Sequence, residues 1–209
     1  MTTSTLPAAP APQSDEPFAA QAPLAHEGRP GYTGMWIGIT CELYEFAVFF
    51  AVYFVMRWNY PMEFREGAPQ LWTLGGLLIT LVMLTSGYFL VRTVLAVRRN
   101  AQRAARWWMV AAFATALCYP LIKYFELVWN FERGVIAGYN AFFTVYYYLT
   151  INHFIHSFWG MLGMIWVTIR LWQGAYHPGN AKAVESMAIY WHATDLVWLM
   201  LFSLFYAFV

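Results

Sequence analysis

The sequence predicts an all-α integral membrane bundle of five transmembrane helices, and three observations carry that prediction. Apolar residues make up 60% of the 209 positions and charged residues only 11%, where a soluble domain carries roughly 25% charged residues. The apolar residues gather into five stretches, Thr33–Met56, Leu71–Ala96, Arg106–Trp129, Tyr139–Trp172 and Glu185–Val209, each near or above the roughly 20 residues that cross a bilayer. The few polar residues inside those stretches recur at helical spacing, so each helix concentrates them on one face.

Residues 1–30, rich in Ala, Pro, Ser, Thr and Gln, lack the apolar content to bury a core and read as a mobile tail. No basic start followed by an apolar run marks them as a signal peptide. The membrane domain occupies 31–209. In its first stretch Gly38, Glu42, Glu45, Phe49 and Tyr53 share a face. The second ends among arginines. Pro120 removes a backbone donor in the middle of the third and is expected to kink it. The fourth is too long for one perpendicular helix and must tilt or extend beyond the bilayer. Its residues His153, His156, Gly160, Gly163 and Arg170 fall within an arc of about 100°, and small residues there let a neighbouring backbone approach closely. The fifth places Glu185, His192, Asp195, Ser203 and Tyr206 within about 80°.

Basic residues set the expected orientation. Arg29, Arg92, Arg98, Arg99, Arg103, Arg106, Arg170 and Lys182 fall on one side; Arg57, Arg65, Lys123 and Arg133 fall on the other. Eight against four puts the amino terminus in the cytoplasm and the carboxyl terminus outside. A formal net charge of +1 argues against nucleic acid as a partner. Cys41 and Cys118 lack the spacing of a metal site and read as small core residues.

Ionisable groups in lipid are expensive and persist where they face protein or water, at roughly 2.5–3.5 kcal/mol each near the bilayer centre by insertion scales. At about 1.5 Å per residue, Glu42 lies about 13 Å deep, His192 about 10 Å, Asp195 about 15 Å, and His156 about 21 Å from Arg170. These levels predict an interhelical network centred on Glu42, His156, His192 and Asp195. A structural network that fixes helix register and a proton-handling one both fit these residues. Lys123 and Glu126 read as an ion pair within one helix, Arg170 as an interfacial arginine on an anionic headgroup. Trp191, Trp198 and the other Trp and Tyr residues read mostly as packing and interfacial belt. His156 with His192 could formally ligate a haem, but with only five histidines and no Cys pair no metal or redox centre is expected.

Three motifs resemble subunit III of the haem–copper oxidases, the cytochrome c oxidase subunit 3 family, over nearly all of 33–209. The most specific is Glu185 followed by Tyr190-Trp191-His192, Asp195 and Trp198, where the family has Glu, a spacer and Tyr-Trp-His-Phe-Val-Asp-Val-Val-Trp. The second is His153-Phe154-Ile155-His156, similar to the family's His-Gly-Leu-His, with Arg170 fourteen residues on. The third is Gly34, Trp36 and Cys41-Glu42, where the family commonly has Ser-Glu; Glu126 matches a further family glutamate.

The resemblance implies a multi-pass protein of the bacterial inner membrane that packs against the catalytic subunit I, supports proton uptake and holds phospholipid. It implies no cofactor of its own; haem and copper belong to partner subunits. By resemblance Glu42 is the membrane-buried carboxylate of proton-uptake support, and the shared depth adds His156, His192 and Asp195 to that support. Arg170 contacts lipid, and Glu126, His153, Glu185, Trp191 and Trp198 form a structural network. Five spans match the shorter bacterial form. Phe154 in place of Gly, Ala193-Thr194 in place of Phe-Val, and the extra Glu45 mark a divergent branch. Such a branch accompanies nitric oxide reductases as NorE-like proteins, which is one alternative; a small proton conductor is another.

Overall fold

A computed structural model describes residues 29–207, and all regular structure among them is helical. The expected tail therefore falls almost wholly outside the described residues. Helix α1 spans Thr33–Asn59, α2 Pro61–Gly67, α3 Thr73–Arg98, α4 Gln102–Ala116, α5 Cys118–Glu132, α6 Ala141–Trp172 and α7 Lys182–Phe202; a π-helical turn, Ser203–Ala207, extends α7. Among the described residues five helical units are long and apolar enough to cross a membrane, with α4 and α5 together forming the third. The five-span all-α architecture is as the sequence predicts.

Local chemistry sets the boundaries. Tyr60 precedes Pro61, whose ring disfavours a helical conformation at the residue before it, and Tyr60 leaves the helical region with φ −126° and ψ 53°. Asn100 closes α3 in the left-handed region at φ 56°, so that the Ala101 amide reaches back to the Ala96 carbonyl at 2.8 Å. Asn140 caps α6, its side chain accepting from the Phe143 amide at 2.8 Å. The third span breaks at Leu117. Pro120 has no amide to donate to Ala116, so the interruption opens one turn before the proline itself.

Helix α7 is the axis of the bundle: α3, α6 and α1 pack against it, and α4 packs on both α3 and α6. Trp191 and Trp198 of α7 have no solvent-accessible surface. Gly160 of α6 permits the approach, since a Cβ there would stand 3.0 Å from the Trp191 ring. The 32 residues of α6 run to about 48 Å, longer than the roughly 30 Å hydrocarbon core.

One expectation is corrected. Cys41 and Cys118 are not core residues; both thiols are exposed on the bundle's outer surface. An apolar residue in a membrane helix is equally at home facing lipid or protein, so hydropathy does not assign its face.

Candidate functional site

The expected single network resolves into separate clusters held by different helices. On the α1 face towards α6, Glu42 is 4% exposed. Its Oε2 lies 3.5 Å from His156 Nδ1 on α6, while Glu45 Oε2, one turn further along α1, lies 3.4 Å from Nε2 of the same ring. One imidazole thus bridges two carboxylates, and only its protonated form offers an N–H to both. The Phe46 ring meets His156 edge-on at 5.5 Å, and Tyr190 of α7 donates its hydroxyl to the His156 carbonyl at 3.0 Å. Gly34 and Gly38, with open space beside their Cα atoms, let a groove of about 420 Å³ reach Glu42, Glu45 and His156. Glu42 Oε1, buried at this groove, has no hydrogen-bond donor among the described residues.

His192 and Asp195 lie elsewhere. They pair within α7, Nδ1 to Oδ2 at 3.6 Å, and face α3, where Gly87 stands so close that a Cβ would meet Asp195 Oδ2 at 2.7 Å. His156 and His192 therefore turn towards different helices and do not converge. Among the described residues no group of three or more His, Cys, Asp or Glu side chains is placed to hold a metal.

His153 is fully buried. Its Nδ1 meets the Tyr119 hydroxyl at 3.1 Å and its Nε2 the Thr194 carbonyl at 3.2 Å. The carbonyl can only accept, so Nε2 carries the proton and Nδ1 accepts from Tyr119. This histidine pins α5, α6 and α7 together. Trp198 packs its ring 5.3 Å from His153 and donates Nε1–H to Thr80 of α3 at 2.9 Å.

Glu126 sits at 1% exposure in a second polar core. Lys123 Nζ approaches its Oε2 at 2.9 Å, as expected of an intrahelical pair, and Tyr146 and Tyr206 both donate to Oε1. At the opposite end of the bundle Arg98 donates Nε and Nη2 to Glu185 Oε1 at 3.0 and 2.8 Å. The Gly31 amide donates to Oε2 at 3.1 Å. Glu185 so joins the ends of α3 and α7 to the segment before α1. Arg170 is exposed, its guanidinium 3.3 Å from Gln173 Oε1.

Tyr119 and Tyr146 were not singled out from the sequence, and Arg98 entered it only as a charge that sets the orientation. Tyr146 had a signal: it precedes His153 by seven residues and Gly160 by fourteen, which puts all three on one helical face. Arg98 in the last turn of α3 and Glu185 in the first turn of α7 had one as well, since each charge suits its helix end.

No family model matches the chain. Curated relatives match most of its length. It is 29% identical over 196 residues to cytochrome c oxidase subunit 3 of Corynebacterium diphtheriae, covering 90% of this chain and 94% of the relative. It is 27% identical over 173 residues to the probable cytochrome c oxidase subunit 3 of Mycobacterium tuberculosis, covering 83% and 85%. The chain is similar to cytochrome c oxidase subunit 3 proteins over most of its length. A third relative, the heme-copper oxidase subunit I+III of Aeropyrum pernix, is 25% identical over 183 residues, which span 83% of this chain and 22% of that one. The departures from the pattern this chain resembles have structural places. Phe154, where the family has glycine, packs its ring 5.7 Å from Tyr119. Thr194, where the family has valine, turns its hydroxyl to the Tyr190 carbonyl at 3.1 Å.

Proposed function

We propose that this chain is the subunit III of a haem–copper respiratory oxidase, a multi-pass protein of the bacterial inner membrane with its amino terminus in the cytoplasm. The near full-length correspondence to proteins of that name carries the reading. In it the chain performs no redox step and binds no cofactor of its own. Haem and copper sit in the catalytic subunit, which this bundle packs against and stabilises.

The finer role rests on Glu42. A buried carboxylate beside a groove, with one oxygen next to a bridging imidazole and the other without a hydrogen-bond donor among the described residues, is suited to take up and release a proton at a membrane-embedded position. Glu45 on the far side of His156 extends that position by one turn. The cluster is held next to the protein surface, which suits support of a partner's proton uptake better than a conduit through this bundle. His192 and Asp195 belong to the same supporting role on a different face. Arg170, exposed at the end of α6, is the contact for a phospholipid headgroup.

The test is turnover of the purified oxidase carrying Glu42→Gln. The amide keeps the shape and loses the titratable proton. We expect unchanged haem content, slower steady-state oxygen consumption and earlier inactivation during turnover. Turnover and lifetime equal to the unsubstituted complex would contradict the role given to Glu42.

A further inference from the structure

We propose that Glu45 and His156 form a proton relay that loads and unloads the buried carboxylate Glu42 from the groove beside it. The inference rests on the functional reading above and deepens it, naming the route by which Glu42 exchanges its proton.

Glu42 has almost no solvent contact of its own. Its Oε1 is buried without a hydrogen-bond donor among the described residues, and its Oε2 faces His156 Nδ1 at 3.5 Å. The far side of that ring faces Glu45 Oε2 at 3.4 Å. Side-chain exposure rises in the same order, from 3% for Glu42 through 23% for His156 to 42% for Glu45. A chain of titratable groups thus leads from the surface to the buried carboxylate through an imidazole, whose two nitrogens can accept on one side and donate on the other. The neighbouring polar groups are engaged elsewhere. Tyr190 of α7 borders the groove, but its hydroxyl donates to the His156 carbonyl at 3.0 Å. His153, one turn earlier on α6, is held by Tyr119 and the Thr194 carbonyl. Among the described residues His156 is the one basic side chain paired with either Glu42 or Glu45.

The groove gives water a way to the head of this chain. It runs from Gly34, the second residue of α1, past Gly38 and Cys41 to Glu45, about 16 Å along the helix. Its volume of about 420 Å³ equals that of about a dozen waters in the liquid. In the loading step a proton taken from water onto Glu45 passes from Oε2 to His156 Nε2, forming the imidazolium. The Nδ1 proton then moves to Glu42 Oε2. One O–H bond breaks at Glu45 and one forms at Glu42, and the ring is left neutral with its proton on Nε2. Unloading retraces these steps. Partners in proton transfer commonly rest at loose spacing and tighten as the proton passes. With a single port, Glu42 stores a proton rather than passing it across the bundle. Glu45 is an addition to the pattern this chain resembles, so the relay belongs to the chain's own residues.

The test follows hydrogen–deuterium exchange at the Glu42 carboxyl by infrared spectroscopy, with the intact purified complex moved into deuterated buffer at mildly acidic pH. Glu42→Gln identifies the band by its loss. We expect Glu45→Gln and His156→Phe each to slow the downshift of that band by about tenfold or more. Because the two groups act in series, the double variant should be no slower than His156→Phe alone. Glu45→Asp keeps a titratable group and should retain most of the rate, which separates proton transfer from a merely structural role. Exchange at the unsubstituted rate in Glu45→Gln overturns the relay, as do delays that multiply in the double variant or the absence of any Glu42 band. The readout is independent of oxygen consumption. Slow exchange in Glu45→Gln with normal turnover in Glu42→Gln would keep the relay and defeat the functional reading. Unchanged exchange with impaired turnover would do the reverse.

Discussion

His153 and His156 stand one turn apart on α6 and have opposite surroundings. The first is sealed among Tyr119, Trp198 and the Thr194 carbonyl; the second bridges two carboxylates at an open groove. Sequence reading grouped them on one face and could not part them, because a 100° step places both near the same neighbours. The difference lies in which helix covers each, and that is a property of packing. Glu126 shows the same limit. Its partner Lys123 was legible from the i, i+3 spacing, whereas Tyr206 arrives from 80 residues away. The buried Lys123–Glu126 pair makes a clear energetic prediction. Glu126→Leu leaves an ammonium without its carboxylate and should destabilise the bundle by about 3 kcal/mol. Adding Lys123→Met should restore most of that loss. Thermal unfolding of the single and double variants in detergent checks it, and additive losses would refute the coupling.

At the level of elements, each span was legible from apolar length, and the break in the third from Pro120. Polar faces were legible too, because polar groups avoid lipid: the residues Gly38, Glu42 and Glu45 do line one groove, and Gly160 and Gly163 do meet α7. Cys41 and Cys118 were illegible for the complementary reason, since lipid and protein interior solvate a thiol alike. The α6–α7 contact depends on small residues more than on polar ones. A larger side chain at Gly160 would press on the Trp191 and Tyr190 rings, so Gly160→Leu should destabilise the bundle by about 1–3 kcal/mol. Gly34, with nothing within 4 Å of a built Cβ, is the matched control, and Gly34→Leu should leave the unfolding midpoint nearly unchanged. Equal shifts for the two would show that helix approach is not set at Gly160.

For the whole molecule, the five helices keep distinct polar clusters at distinct levels. The Glu185 clamp ties one end, and the Glu126 core fastens α5, α6 and the tail of α7. The Glu42–His156 junction opens to a groove, whereas the Glu185, Glu126 and His153 clusters and the Asp195 carboxylate are buried within the chain. The central claim, that this bundle serves a haem–copper oxidase, is tested most directly by tagging the chain, purifying it from its own membranes in mild detergent, and measuring haem and metal content of what accompanies it. A haem-bearing catalytic subunit with copper is the expected companion. Recovery with haem and non-haem iron would assign it to nitric oxide reduction instead, and recovery alone as a haem-free homo-oligomer would exclude a role in either enzyme.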